Sequence, residues 1–232
     1  MTVIVLASSK GGVGKSTTAL CLAQVLAREG VGVSLLDADP NAPILSWYKQ
    51  SEQVDKSLSV IGPLNENNIY EAIEEAKHTS QVVIVDLEGS ANLAVSYAIT
   101  EADLVLIPLQ GSQLDADEAA KIIRMISRAG RQLKKQIPYM AFFTRCSFIK
   151  SRTNKHISAS LLEADIPVAQ TEIVEMDAFK AVFSYWGFLH DLDNAEVSHP
   201  EKAVNNMIDF ANEIMLKLGK SKSGQSTLLG KS

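Results

Sequence analysis

Val3-Ile4-Val5-Leu6-Ala7-Ser8-Ser9-Lys10-Gly11-Gly12-Val13-Gly14-Lys15-Ser16-Thr17, running into Ala19-Leu20-Cys21-Leu22-Ala23-Gln24-Val25-Leu26, reads as a strand, a glycine-rich turn and a helix in that order. The apolar run has strand composition, and the stretch after it has helical periodicity. A helix that starts directly after such a turn leaves its first N–H groups without intrahelical partners. Those groups and the helix dipole together favour an anion. Gly11, Gly12 and Gly14 permit a backbone path and a close approach that a Cβ would obstruct. At this spacing Lys15 is placed to meet the β/γ-phosphates of a nucleotide, and the Ser16 hydroxyl to meet Mg²⁺. The nucleotide-binding set read from the motif is Gly11, Gly12, Val13, Gly14, Lys15, Ser16 and Thr17.

The remaining sequence reads as regular alternation. Strands are expected at Val33–Leu36, Ser59–Ile61, Val82–Val85, Leu104–Ile107 and Tyr139–Phe143, with a short edge strand at Ile166–Val168. Helices are expected near Ile44–Tyr48, Asn68–Lys77, Leu93–Ile99, Asp115–Ala129, Lys155–Glu163 and Ala203–Leu218. Repeated βα units imply an α/β fold: one P-loop domain with a mostly parallel twisted sheet and helices on both faces. That domain is expected to span 1–218, with a disordered Ser/Gly/Lys-rich tail over 219–232. The helix near 203–218 carries Asn205, Asp209, Asn212 and Glu213 opposite its apolar stripe.

The chain has 232 residues, 46% hydrophobic and 21% charged, which suits one globular domain with a full core. No apolar run approaches the roughly 20 residues of a membrane span. No basic segment precedes Val3, so no leader peptide is expected. Cys21 and Cys146 form no C-x-x-C pair and are expected as buried, reduced thiols of a cytoplasmic protein. His78, His156, His190 and His199 are isolated and show no metal spacing.

In an open α/β sheet, chemistry gathers at the C-terminal ends of the strands. Two acidic groups fall there. One is Asp37-Ala38-Asp39-Pro40 after the second strand, and the other is Asp86 with Glu88 and Gly89 after Val82–Val85. Acids at strand ends are also common turn formers. Beside a phosphate loop they become candidate Mg²⁺ and water ligands, because phosphoryl transfer needs charge neutralisation and an oriented nucleophile.

One departure narrows the family. The usual pattern G-x-x-x-x-G-K-S/T places its first glycine at position 9, which is Ser9, while a second lysine, Lys10, precedes the glycine pair. Lys10-Gly11-Gly12-Val13-Gly14-Lys15-Ser16 resembles the deviant Walker A motif of ParA/MinD ATPases. Leu35-Leu36-Asp37-Ala38-Asp39-Pro40 resembles that family's second motif, and Val83-Ile84-Val85-Asp86 its Walker B strand. The resemblance implies a cytoplasmic, nucleoid-associated ATPase with slow intrinsic turnover, using ATP and Mg²⁺. It assigns Lys10, Lys15 and Asp39 to catalysis, with Asp39 supporting the attacking water and Lys10 reaching a partner chain's nucleotide in a sandwich dimer. Ser16, Asp37 and Asp86 form the implied metal set. Many relatives follow the Walker B aspartate with a proline pair. Here it is Leu87-Glu88-Gly89, which leaves the Gly89 N–H to sense the γ-phosphate.

The net charge of −5 is unevenly distributed. From Lys121 to Lys155 the chain carries Lys121, Arg124, Arg128, Arg131, Lys134, Lys135, Arg145, Lys150, Arg152 and Lys155 without one acid, although acids outnumber bases overall, 27 to 22. Such a segment suits phosphate-backbone contact that is sequence-independent and salt-sensitive. Arg124, Arg128, Arg131, Lys135, Arg145, Lys150 and Arg152 are the candidate DNA-binding residues, and a solvated helix face is the alternative. The resemblance adds a homodimer in the ATP state, a ParB-type partner protein that stimulates hydrolysis, and plasmid or chromosome DNA as cargo. A MinD-like membrane-cycling ATPase and a VirC1-like scaffold for DNA transfer remain open.

Overall fold

Alternation of apolar runs with 3.6-period segments produces one six-stranded sheet in a computed structural model, in the order β3-β2-β4-β1-β5-β6. The structure describes residues 1–52, 54–89, 92–147, 152–195 and 197–222, with backbone only for 113–116, 152–153 and 220–222. The strands are β1 Thr2–Leu6, β2 Val33–Ala38, β3 Leu58–Ile61, β4 Val82–Leu87, β5 Leu104–Leu109 and β6 Tyr139–Phe143. The helices are α1 Lys15–Arg28, α2 Pro43–Gln50, α3 Ile69–Thr79, α4 Leu93–Glu101, α5 Gln113–Leu133, α6 Arg152–Glu163, α7 Asp177–Ser184 and α8 Pro200–Lys222. Every strand pair is parallel, so each connection must cross over and the helices cover both faces.

Alternate residues of each strand enter opposite cores. Ile4, Leu6, Leu35, Ile84 and Phe142 face α1, α2, α7 and α8. Val3, Val5, Leu36, Val85 and Phe143 face α3, α4, α5 and α6. Trp47 of α2 is fully buried in the first core, where it meets the Phe188 ring edge-on at 5.3 Å. Cys21 and Cys146 are free and buried.

Two local expectations need correction. Ile166–Val168 is no strand: Val168 makes a single parallel bridge with Ala141, because Pro167 has no N–H to donate. The Pro167 carbonyl accepts from Ala141 N at 2.8 Å, and Ala169 N donates to Ala141 O at 2.8 Å. Further on, Ile173 N donates to Phe143 O at 2.8 Å, so residues 167–174 form a strap along the β6 edge. The second is the tail expected from 219: α8 continues to Lys222, so 219–222 are helical, while α7 falls in a segment to which sequence periodicity assigns no element.

The polar face of α8 fastens this strap. The Glu213 carboxylate accepts from Gln170 N at 2.7 Å and Thr171 N at 2.9 Å. Asn206 accepts from Val174 N at 3.0 Å and donates to Glu172 O at 2.9 Å.

Candidate phosphate-binding site

Because the strands are parallel, their C-terminal ends share one edge of the sheet, and the polar residues singled out from sequence gather there. The chain leaves β1 and turns through Gly12 and Gly14, at φ 74° and 90°. Both angles lie in left-handed space that side chains disfavour. Gly14 precedes α1 and has no side chain to cap it, which leaves the first-turn N–H groups available to an anion. The loop carbonyls are drawn away from that space. Thr144 Oγ1 donates to Val13 O at 2.7 Å, and Gln110 Nε2 donates to Gly12 O at 3.0 Å. Ser8 Oγ accepts from Lys10 N and donates to Lys10 O, both at 3.1 Å.

Lys15 is only 5% exposed, with its ammonium 3.4 Å from Lys10 O. Burial lowers its pKa, while the charges of Asp86, Asp39 and Glu88 act in the opposite direction. Asp37 and Asp86 are register partners on adjacent strands, and both are fully buried. Asp37 also ties the turn into α2, accepting from Leu45 N at 2.9 Å and Asp39 N at 3.3 Å. Burial raises its pKa, and bonds from Leu45, Asp39 and Ile44 N–H groups pull it back. Asp39 accepts from Asn41 N at 2.9 Å and Asn41 Nδ2 at 3.0 Å.

Neither carboxylate oxygen of Asp86 has a hydrogen-bond partner. Burial raises its pKa to about 7. The Ser16 hydroxyl is near enough to favour the ionised form without reaching hydrogen-bond geometry. A buried, unpartnered carboxylate is costly unless a cation or water completes it. No group of three His, Cys, Asp or Glu that could cage a metal occurs among the described residues. One unpartnered carboxylate beside the Ser16 hydroxyl fits Mg²⁺, which keeps several waters and is held by one or two carboxylates together with substrate phosphates. Asp86 and Ser16 are the residues that would hold it.

Gly89 closes the site from the β4 side, its Cα packed on the Lys10–Gly11 backbone. On the far side of Gly14 a cleft is lined by Thr17, Thr144, Ile173, Val174, Met176 and Phe179. This largely apolar slot is of the kind that takes a planar ring system. From sequence, Phe143-Thr144-Arg145 resembles a segment by which the family reaches nucleotide and DNA, and Ile173–Trp186 lies where relatives form the edge of the nucleotide pocket. Thr17 alone has an individual role from sequence, because the strap and α7 reach the loop only through tertiary folding.

The candidate basic residues divide. Arg124, Arg128 and Arg131 are exposed along α5, and Lys135, also exposed, donates to Thr100 O at 2.9 Å. Arg131, Lys134, Lys135 and Lys217 border a groove at the opposite end of the sheet from Lys15. Arg145 stands apart at φ 52°, beside the apolar cleft. Lys150 lies outside the described residues, and Arg152 is described only as the first residue of α6. One contact has no counterpart in the local sequence pattern: Ser9 Oγ donates to the Glu118 carboxylate and to Glu118 O at 3.2 Å.

A family model described as VirC1 protein matches residues 1–221. Protein ParA of Rhizobium radiobacter is 38% identical over 219 residues, covering 94% of this chain and 98% of that protein. The MinD cell division protein of Aquifex aeolicus superposes with a TM-score of 0.70 at 22% identity, covering 93% of this chain and 97% of its own. A plasmid partition protein from Borrelia burgdorferi bound to AMPPNP gives 0.67 at 21% identity, covering 93% and 99%. These two likenesses carry the fold. The phosphate loop, the buried aspartate pair and the matches over nearly the whole chain agree: the protein belongs to the VirC1 family, among the ParA/MinD-type partition ATPases.

Proposed function

We propose that this chain is a Mg–ATP-dependent DNA partition ATPase that binds DNA without sequence preference as an ATP sandwich dimer. The observation that carries this reading is the unpartnered Asp86 carboxylate facing an N–H-lined loop and the buried Lys15. Lys15 neutralises the β/γ-phosphates, and the N–H groups from Gly11 to Thr17 hold them. Ser16 and Asp86 hold Mg²⁺, with Asp37 behind them, and the ion neutralises phosphate charge as the reaction develops. Asp39, next to that pair, orients the attacking water. Lys10 supplies a further positive charge to the nucleotide of a second chain. The apolar cleft beside Gly14 takes the base.

The exposed arginines of α5 take the DNA backbone, and a ParB-type partner stimulates hydrolysis and release. The bound state sits on the nucleoid in the cytoplasm. Residues 1–218 carry this activity, with 219–222 completing α8, and 223–232 lie outside the described residues. Among the described residues no helix is long and apolar enough to cross a membrane. The match to the VirC1 model favours one second reading, a scaffold for DNA transfer in which nucleotide binding outweighs turnover.

The deciding experiment compares the wild type with Lys10→Ala. DNA retention is measured with ATP, ADP and no nucleotide across a salt series, alongside ATP hydrolysis. Retention that needs ATP and fails at high salt supports the partition reading. Lys10→Ala is expected to lose ATP-dependent dimers and hydrolysis while still binding nucleotide. Normal hydrolysis by Lys10→Ala removes the two-chain site. Wild-type turnover unaffected by DNA and partner favours the scaffold.

A further inference from the structure

We propose that Ser9 and Glu118 link the phosphate loop to α5, so that filling the loop changes how α5 presents its basic face. The proposal rests on the loop being a nucleotide site.

Ser9 occupies the position where the usual P-loop carries a glycine. Its hydroxyl leaves the loop and bonds to Glu118, 109 residues away, at both the carboxylate and the main-chain carbonyl. The same carboxylate has a second partner: its other oxygen accepts from Lys121 Nζ at 2.6 Å. Glu118 thus bridges a loop residue to the first cation of α5, one helical turn on. Arg124, Arg128 and Arg131 continue outward along that helix. Lys121, Ser9 and, at longer range, Lys10 all hold the Glu118 carboxyl below the usual range.

The physical route is short. An anion in the loop draws the neighbouring N–H groups toward itself, which changes the field at Glu118 and the position of Ser9. Glu118 is anchored to a rigid helix through its own main chain, so displacement of Ser9 is passed to α5 as a whole. The helix rests on the sheet through Ala119, Ile122, Ile126 and Ala129, a smooth aliphatic stripe along which small shifts are feasible. A glycine at position 9 has no hydroxyl and makes no such link.

The test uses the full chain and amide hydrogen exchange with and without Mg–ATPγS. In the wild type, binding is expected to protect the loop and to change exchange over residues 119–131 by about fivefold or more. Ser9→Ala and Glu118→Ala are expected to bind the analogue within about threefold of wild type, a difference under 1 kcal/mol. Their α5 amides should nevertheless fail to respond. Ser9→Thr keeps the hydroxyl and is expected to restore the response, which a merely structural role for Ser9 would not predict. A wild-type α5 that stays unchanged while the loop is protected overturns the coupling alone. The coupling is equally overturned if Ser9→Ala and Glu118→Ala keep the wild-type response, or if both lose nucleotide affinity by more than about tenfold. No binding of the analogue by wild type removes the nucleotide site itself, and the coupling with it.

Discussion

A Cβ built on Gly89 would stand 2.7 Å from the Gly11 nitrogen and 2.8 Å from the Lys10 carbonyl carbon. The loop after β4 is therefore in backbone contact with the phosphate loop, and neither side is a flexible side chain that can swing away. Gly89→Ala must part the two loops. It is expected to cost about 1–3 kcal/mol of stability and to weaken Mg–ATP binding by about tenfold or more, equal to 1.4 kcal/mol. Denaturant unfolding and titration calorimetry measure the two effects separately. Wild-type affinity in this variant would show that the contact has no part in ligand binding.

Asp86→Asn separates function from stability. Removing a buried, unpartnered charge is expected to leave the ligand-free protein as stable as wild type or up to about 1 kcal/mol more stable. Enhancement of ATP binding by Mg²⁺ should disappear. A variant that is destabilised and still responds to Mg²⁺ would place the ion elsewhere.

Thr144 holds the Val13 carbonyl away from the ligand side of the loop. Thr144→Val removes the donor while keeping the shape, at an expected cost of about 1–2 kcal/mol and weaker nucleotide binding. Thr144→Ser should recover most of both. Equal behaviour of the two variants in urea unfolding and nucleotide titration would mean that the hydroxyl does not set the loop.

The division of the basic residues gives an ionic-strength test. Arg124→Gln with Arg128→Gln is expected to lower the salt slope of DNA binding by about 2, near 0.9 for each phosphate left without its arginine. Arg145→Gln should leave that slope unchanged and alter nucleotide affinity instead, because Arg145 borders the apolar cleft. A slope lowered by Arg145→Gln would return that arginine to the DNA surface.

Burial pushes the Cys21 thiol up, and burial with the Glu172 charge pushes Cys146 up to about 12. Above about pH 9 an unfolded thiol releases its proton while the native one keeps it. The native state then binds more protons, so stability falls as pH rises, by up to about 1.4 kcal/mol per pH unit for each thiol. At pH 8 both should resist a thiol reagent until the protein is unfolded. Rapid labelling of folded protein would contradict this.

How much of the site was legible depended on sequence distance. The loop from Lys10 to Thr17 and the acids Asp37, Asp39 and Asp86 each sit beside the strand that places them, so local pattern sufficed. The strands were readable for the same reason, since burial on both sides leaves continuous apolar runs. Glu118 gave no local sign, because an acid early in a helix suits the dipole without any further role. Glu213 was equally opaque: on its own helix it belongs to a polar face, and its two amide partners lie at 170 and 171. The eight residues of α7 bury Ala178, Phe179, Ala181 and Val182, too short a stripe to separate from a loop by periodicity. Ser9 was visible as a departure from pattern, and only the fold supplied its partner.

The strap along β6 also limits how copies of this protein can join. The outward main-chain groups of Ala141 and the Phe143 carbonyl are already bonded to residues 167–173. That edge of the sheet is closed to an incoming strand. The other edge is β3, only four residues long. Pairing two β3 strands would join one edge to its own copy, which closes as a two-fold dimer and leaves no further edge to extend. Any filament of this chain must therefore be built through helix and loop surfaces, and its assembly will respond to charge and nucleotide at those surfaces, not to strand propensity.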